Sequence, residues 1–197
     1  MARTPRIQLE PNTTLYPVPV VIISCGFGEN ANLFTLNRIA SCNAEPPLLS
    51  ISVRPARLSH QLIDELGEFV VNIPYPDAEF LADYVGSTTG REVDKWRETG
   101  LTPLPAGQVQ APLVAECPVN IECVVRQRIN LPSHTLFIAE AVAMHAEASV
   151  LNSRHEVDFS HAQGLPYRSG PVRERPVDNF RPDELLTRVH SWRDTRR

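Results

Sequence analysis

Between residues 17 and 94, short β-branched runs alternate with proline and glycine stops, and this punctuation constrains the fold more than any other feature. Residues 18–25 read VPVVIISC and close on Gly26 and Gly28, the pattern of a short buried strand with a turn behind it. Residues 32–40 form a second candidate strand, and Pro46-Pro47 ends that unit. Residues 48–53 alternate apolar residues with serine, the period of a half-buried strand, until Arg54-Pro55 stops it. With 18 prolines against 9 glycines, many interrupted strands account for the composition better than long helices do.

The remaining chain continues the pattern. Ser59 is a candidate N-cap for a short helix with Leu62, Ile63 and Leu66 as its apolar stripe and Gly67 as its stop. Residues 69–73 read as a strand. Residues 77–85 read as a helix with Phe80, Leu81 and Tyr84 inward, and residues 92–98 as another short one. Residues 101–112 carry three prolines and read as a surface loop. Residues 119–129 and 135–144 are long strands joined by a hairpin-length polar link. After Asn152 the charge rises and only residues 182–192 look helical, with Pro182 at the first turn followed by Asp183 and Glu184. Mostly strands with short inserted helices indicate a β-barrel rather than a doubly wound sheet. The expected division is a barrel domain over residues 1–155 and a C-terminal extension over 156–197, whose helix packs on the barrel or on a dimer partner.

The bulk numbers exclude several classes of partner. A formal net charge of -4 gives no reason to expect nucleic acid. No apolar run reaches the roughly 18 residues of a membrane span, and the first residues lack an apolar signal core, so a cytoplasmic protein is expected. Cys25, Cys42, Cys117 and Cys123 form no CxxC pair and sit in mostly apolar surroundings, which reads as buried free thiols without a metal site. No GxGxxG or GxxxxGK[ST] occurs, so dinucleotide-binding and P-loop folds lose support.

Three constellations carry candidate chemistry. In Arg57-Leu58-Ser59-His60 an arginine precedes a helix start, where unpaired N–H groups and the helix dipole attract a phosphate. An ordinary cap beside a solvated arginine accounts for the same residues. Asn32, Thr35 and Asn37 offer donors to a planar heterocycle. Strict alternation, however, puts Asn32 and Asn37 on opposite faces unless a bulge intervenes, and a solvent-facing strand is equally compatible. His134, on the link between the long strands, titrates near neutrality and suits nicotinamide steering or proton delivery, as well as plain exposure.

The order and spacing of these pieces resemble the flavin reductase-like family of the flavoredoxin type. The resemblance runs from Tyr16-Pro17 through Asn32 and Thr35, Glu45-Pro46-Pro47, Arg57 and Ser59, and Gly67-Glu68-Phe69-Val70-Val71-Asn72. It continues through residues 86–90, Val93-Asp94-Lys95-Trp96, His134-Thr135-Leu136-Phe137 and Glu140-Ala141-Val142. It implies a Greek-key split barrel that binds FMN, with FAD as the alternative, and takes NADH or NADPH as co-substrate. It also implies a homodimer that serves a small-molecule substrate or a partner oxygenase receiving reduced flavin. Carried over residue by residue, Asn32, Thr35 and Asn37 lie along the flavin and Ser50 and Ser52 flank it. Arg57, Ser59 and His60 take the phosphate, and Lys95 reaches in across the dimer. Cys42 and His134 face the nicotinamide side.

Two departures stand out. Arg38 occupies a position that is often aromatic in relatives, and the tail RERPVDNFRPDELL replaces an aromatic pair. A non-enzymatic FMN electron carrier and a specialised biosynthetic flavoenzyme are the competing expectations.

Overall fold

A computed structural model describes residues 6–13, 15, 18–158, 167–168 and 181–195. Tyr16, Pro17 and most of the tail from residue 159 to 180 lie outside the described residues, and with them much of the sequence expectation for the tail. The strands are β1 Val18–Pro19, β2 Val21–Cys25, β3 Asn32–Leu36, β4 Ile39–Asn43, β5 Leu48–Val53, β6 Glu68–Ile73, β7 Pro103–Leu104, β8 Leu113–Val114, β9 Val119–Asn130, β10 Thr135–Ala146 and β11 Tyr167–Arg168. The helices are α1 Leu58–Leu66, α2 Glu79–Ser87, α3 Lys95–Thr99 and α4 Pro182–Asp194.

Seven strands form one antiparallel sheet in the order β3-β2-β6-β9-β10-β5-β4. Strands β3 and β4 are consecutive in the chain yet lie at opposite edges, with only Asn37 and Arg38 between them. Laid flat, six inter-strand steps span about 29 Å. The extended chain from Leu36 to Ile39 reaches about 11 Å. The sheet must therefore curl until its edges approach, and the fold is the expected mainly-β split barrel. Register shifts in β10 at Ile138/Ala139 and Ala141/Ala143 help the long β9–β10 pair to bend.

The expected strand over residues 32–40 is thus two strands. The break falls at Asn37-Arg38, where the chain crosses from one edge of the barrel to the other.

The barrel interior takes alternate residues from each strand. Val21, Ile23, Cys25, Leu36, Ile51, Val53, Phe69, Val71, Cys123, Phe137 and Ala139 pack there, and α1 closes the space with Leu62 and Ile63. Strand β2 is buried on both faces because α2 covers Ile22 from outside, which explains its unbroken apolar reading. Phe80, Leu81, Tyr84 and Val85 of α2 form a second apolar layer with Leu33. Helix α4 returns onto that layer through Leu185, Val189 and Trp192. Arg188 lies over the Phe80 ring at 4.9 Å, and His190 contacts the Glu98 carbonyl at 2.6 Å. Among the described residues, no helix is long and apolar enough to cross a membrane.

Two sequence expectations need correction here. Residues 101–112 are not a loose surface loop, because Val109 and Ala111 are buried with Val70 and Leu113 on the outer face of the sheet. Two buried polar side chains hold this segment. Asn72 accepts from the Val114 N–H at 3.0 Å and donates to the Ser24 hydroxyl at 2.9 Å. Glu122 accepts from the N–H groups of Gly107 (2.9 Å), Gln108 (2.5 Å) and Val109 (3.0 Å) and meets His145 Nε2 at 2.6 Å. Strand periodicity puts residue 122 on the outer face of β9, opposite to Cys123, and does not show which segment arrives to cover it. The second correction concerns Cys42. It is exposed on the edge strand β4, whereas Cys25, Cys117 and Cys123 are buried as expected.

Burial pushes the Glu122 carboxyl upward, but the Gly107 amide, His145 and the amides of Gln108 and Val109 outweigh it and hold the group below its ordinary 4.5. The stabilisation is therefore present above pH 4.5 and is lost as pH falls through the lowered folded-state value. Glu122→Gln turns an amide NH2 toward donors, and urea unfolding at neutral pH is expected to show a loss of about 2 kcal/mol. The gap between the variant and the parent should narrow in acid; a gap independent of pH would show that the carboxylate charge is not what holds the segment.

Candidate functional site

An open cleft of about 430 Å³, mouth included, lies where the first turn of α1 meets the start of β3 and the segment between α2 and α3. Its polar wall is Asn32, Arg57, Ser59, Thr88, Thr89 and Lys95. Phe34, Leu58 and Val85 supply apolar area, and Gly86 and Gly90 leave room.

Each side chain has a reason to be there. Helix α1 starts two residues earlier than expected. Arg57 holds the N-cap position without a side-chain cap, and Ser59 lies inside the first turn. Ser59 is buried and accepts from Asn32 Nδ2 at 3.0 Å, so its hydroxyl is drawn to β3 rather than back to its own helix. Arg57 is exposed at the start of α1, where the first amides have no side-chain cap. Gly90 comes so close that a Cβ there would run into the Asn32 carboxamide, and a Cβ at Gly86 would stand 3.0 Å from Thr35 Cβ. These glycines admit the hydroxyl-bearing segment Ser87-Thr88-Thr89 to the cleft.

Lys95, the single lysine among eighteen arginines, is 4% exposed and forms the back of the cleft. Its Nζ donates to the carbonyls of Leu33 (2.8 Å) and Val85 (2.7 Å). An ammonium has three donors, and no third partner occurs among the described residues, so one N–H remains for a ligand in the cleft. Burial, and then the nearby positive charge of Arg57, lower its pKa from 10.5 to about 8, with Cys25 acting in the opposite sense. An anion between Arg57 and Lys95 would relieve both costs. The donor set of two cations, hydroxyls and a helix start fits a phosphate, and the apolar wall beside it fits the non-polar part of a nucleotide-like ligand.

The structure brings together Asn32, Thr35, Arg57, Ser59 and Lys95 from the sequence-derived set. Lys95 does so within its own chain, where the resemblance implied a reach across a dimer. Thr35 donates its one hydroxyl proton to the Ala82 carbonyl at 2.5 Å, so it shapes the cleft rather than facing it as a free donor, and Asn32 uses one of its two N–H groups on Ser59. His60 does not line the cleft. Its Nε2 meets Thr135 Oγ1 at 2.8 Å and its ring lies 5.3 Å from that of Phe137, which ties α1 to β10. Asn37 lies in the crossover between β3 and β4. Ser50 and Ser52 point outward from β5, Cys42 lies on exposed β4, and His134 is half-buried on the β9–β10 turn, with Ser133 Oγ at 2.9 Å from its Nδ1. The site residues that sequence reasoning left unassigned are Thr88 and Thr89. The signal for them was the Gly-Ser-Thr-Thr-Gly run of residues 86–90, three hydroxyl residues bracketed by residues without Cβ.

Comparison with known proteins identifies the family of the chain. Residues 13–162 match the flavin reductase like domain. The flavoredoxin of Desulfovibrio vulgaris (Miyazaki F) superposes with a TM-score of 0.76 at 26% identity, covering 88% of this chain and 98% of that one. An uncharacterized protein of Archaeoglobus fulgidus is 33% identical over 137 residues, 68% of this chain and 76% of its own length. The NADH-dependent flavin reductase StyB of Pseudomonas fluorescens is 28% identical over 132 residues, 66% of this chain and 72% of its own.

The lowered Lys95 value carries a sign that can be checked. Between about pH 8 and 10.5 the unfolded chain holds a proton that the folded chain has released, so stability gains from this residue as pH rises through that window. Lys95→Met is expected to remove that gain in urea unfolding between pH 7.5 and 10.5, and an unchanged pH profile would place the ammonium in a solvated position.

Proposed function

The chain belongs to the flavin reductase-like family, and on that premise we propose that it is an FMN-binding oxidoreductase that takes a hydride from NADH or NADPH. The observation that carries this reading is the cleft itself. It has a cation at the mouth and another at the back, with hydroxyls and a helix start between them, in a chain of this family.

In this reading Arg57, the α1 amides, Thr88, Thr89 and Lys95 hold the cofactor phosphate. Ser59, pinned by Asn32, keeps the first turn of α1 at the correct depth. His60 acts through position, fixing α1 against β10. Asn37, Ser50, Ser52, Cys42 and His134 lie on or beside the outer surface and are proposed to flank the flavin ring and the nicotinamide. A bound flavin supplies hydride acceptance and electron transfer, and the chain contributes orientation, charge neutralisation and exclusion of water. No protein nucleophile is required, and FAD remains the alternative cofactor. Pairing into a homodimer in the cytoplasm, and delivery of electrons to a small-molecule substrate or a partner oxygenase, belong to the same proposal.

The likeness to a flavoredoxin supports a second reading, an FMN protein that carries electrons without using a nicotinamide. Anaerobic visible spectroscopy separates the two. A flavin band that bleaches on addition of NADH or NADPH is the outcome expected of the enzyme, and a band that persists favours the carrier. Protein that neither contains flavin nor takes up added FMN would refute the cofactor assignment. Arg57→Ala combined with Ser59→Ala is expected to weaken FMN binding by about tenfold or more, since the first removes a charge-assisted contact to the phosphate and the second frees the α1 turn from Asn32. FMN titration followed by fluorescence quenching reads this directly, and an unchanged affinity would move the phosphate elsewhere.

A further inference from the structure

Strand parity gathers a second set of cations outside the cleft. On β5, Ile51 and Val53 point into the barrel, so Ser52 and Arg54 point out. On β10, Phe137 and Ala139 point in, so His134 and Leu136 stand on the outer side. On the β4 side Ile39 packs inward, so Arg38 points out. Register then sets these residues side by side. The Ser52 N–H donates to the Arg38 carbonyl at 3.0 Å, and Ser52 pairs with Leu136. Val53 pairs with Thr135, so one further step along the strands puts Arg54 opposite His134. Diagonal neighbours on such a face have Cβ atoms about 7–8 Å apart, within reach of two arginines converging on one ligand.

The charges in this corner are uncompensated. Arg126, Arg128, Arg154, Arg181 and Arg193 each carry a carboxylate, whereas among the described residues none pairs with Arg38 or Arg54, both exposed. Their closeness registers on His134, whose imidazole is held below its ordinary value by partial burial and then by Arg38 and Arg54. Half-buried Ser52 and Leu136 form a floor between the cations. The turn in which the Arg57 N–H donates to the Arg54 carbonyl at 3.0 Å joins this corner to the cleft.

We propose that this outer corner of β4, β5 and β10 is a docking site for a small organic oxyanion, its carboxylate or phosphate gripped by Arg38 and Arg54 beside His134. Two forked guanidiniums match the planar geometry of an oxyanion, and the Leu136 floor takes an apolar body attached to it. The patch is three side chains wide and abuts the cleft, which suits a small molecule presented to the cofactor better than an extended acidic protein surface. The inference rests on the oxidoreductase reading only for its consequence, that the molecule receiving or donating electrons is acidic.

The test is a nuclear magnetic resonance titration of the full-length protein labelled on histidine, with benzoate, inorganic phosphate and neutral benzamide as probes. The His134 ring signals are expected to move with benzoate or phosphate and not with benzamide. Arg38→Gln with Arg54→Gln is expected to raise the half-saturation concentration by about tenfold or more, and Arg38→Lys with Arg54→Lys to recover part of the loss. A stronger response to benzoate assigns the oxyanion to a carboxylate source, and a stronger response to phosphate to a phosphate ester. No His134 shift with either anion, an equal response to benzamide, or a response unaltered in the glutamine variant would overturn the proposal. The signals are read whether or not flavin is bound, so a chain that binds the anion but no FMN refutes the cofactor assignment and leaves this site standing.

Discussion

The two-residue passage through Asn37 and Arg38 sets the geometry on which the rest depends. It binds the two edge strands of a seven-stranded sheet to each other, so the sheet cannot remain open. Once curled, it has an interior that needs filling and an end that needs closing, and α1 answers both with Leu62 and Ile63. The position of α1 then decides where its first turn meets β3, and that junction is the cleft. A constraint on chain reach thus places an anion-attracting helix start beside Asn32, and the Asn32–Ser59 bond secures it.

Buried polar groups complete the architecture by fixing what apolar packing leaves loose. Asn72 and Glu122 bind the segment between α3 and β9 to the outer sheet face. Leaving such groups unpaired in the interior costs about 1–3 kcal/mol each, which makes the segment part of the fold rather than an accessory. Lys95 follows a different logic. Its ammonium is held by two carbonyls and depressed by burial and by Arg57, and among the described residues no carboxylate pairs with it.

Much of this was legible in the residues. The β-branched runs, the Gly67 stop, the Pro182 start and the long β9–β10 pair follow local rules of period and capping. That Arg57, Ser59 and Lys95 line one cleft was partly legible: the helix-start pattern singled out Arg57 and Ser59, and family order alone pointed to Lys95. The break at Asn37-Arg38 was not, since two consecutive polar residues fit a bent single strand as well as a crossover, and only the edge-to-edge closure of the sheet demands it. The role of Glu122 was hidden because its partners lie 13 to 15 residues away, in a segment whose prolines read as loop. The direction of the His60 ring was not legible, because position beside a helix start says nothing about which way the ring turns. Packing against Phe137 settled that.

The burial of Lys95 gives the chain an unusual chemical signature. The sequence holds one ε-amino group, and that group faces the cleft from behind two carbonyls. Reagents that acylate or reductively methylate amines therefore have one side-chain amine as target, at the back of the cleft that a ligand would fill. Modification at residue 95 is thus a direct reporter of occupancy, free of the background that surface lysines create in other proteins.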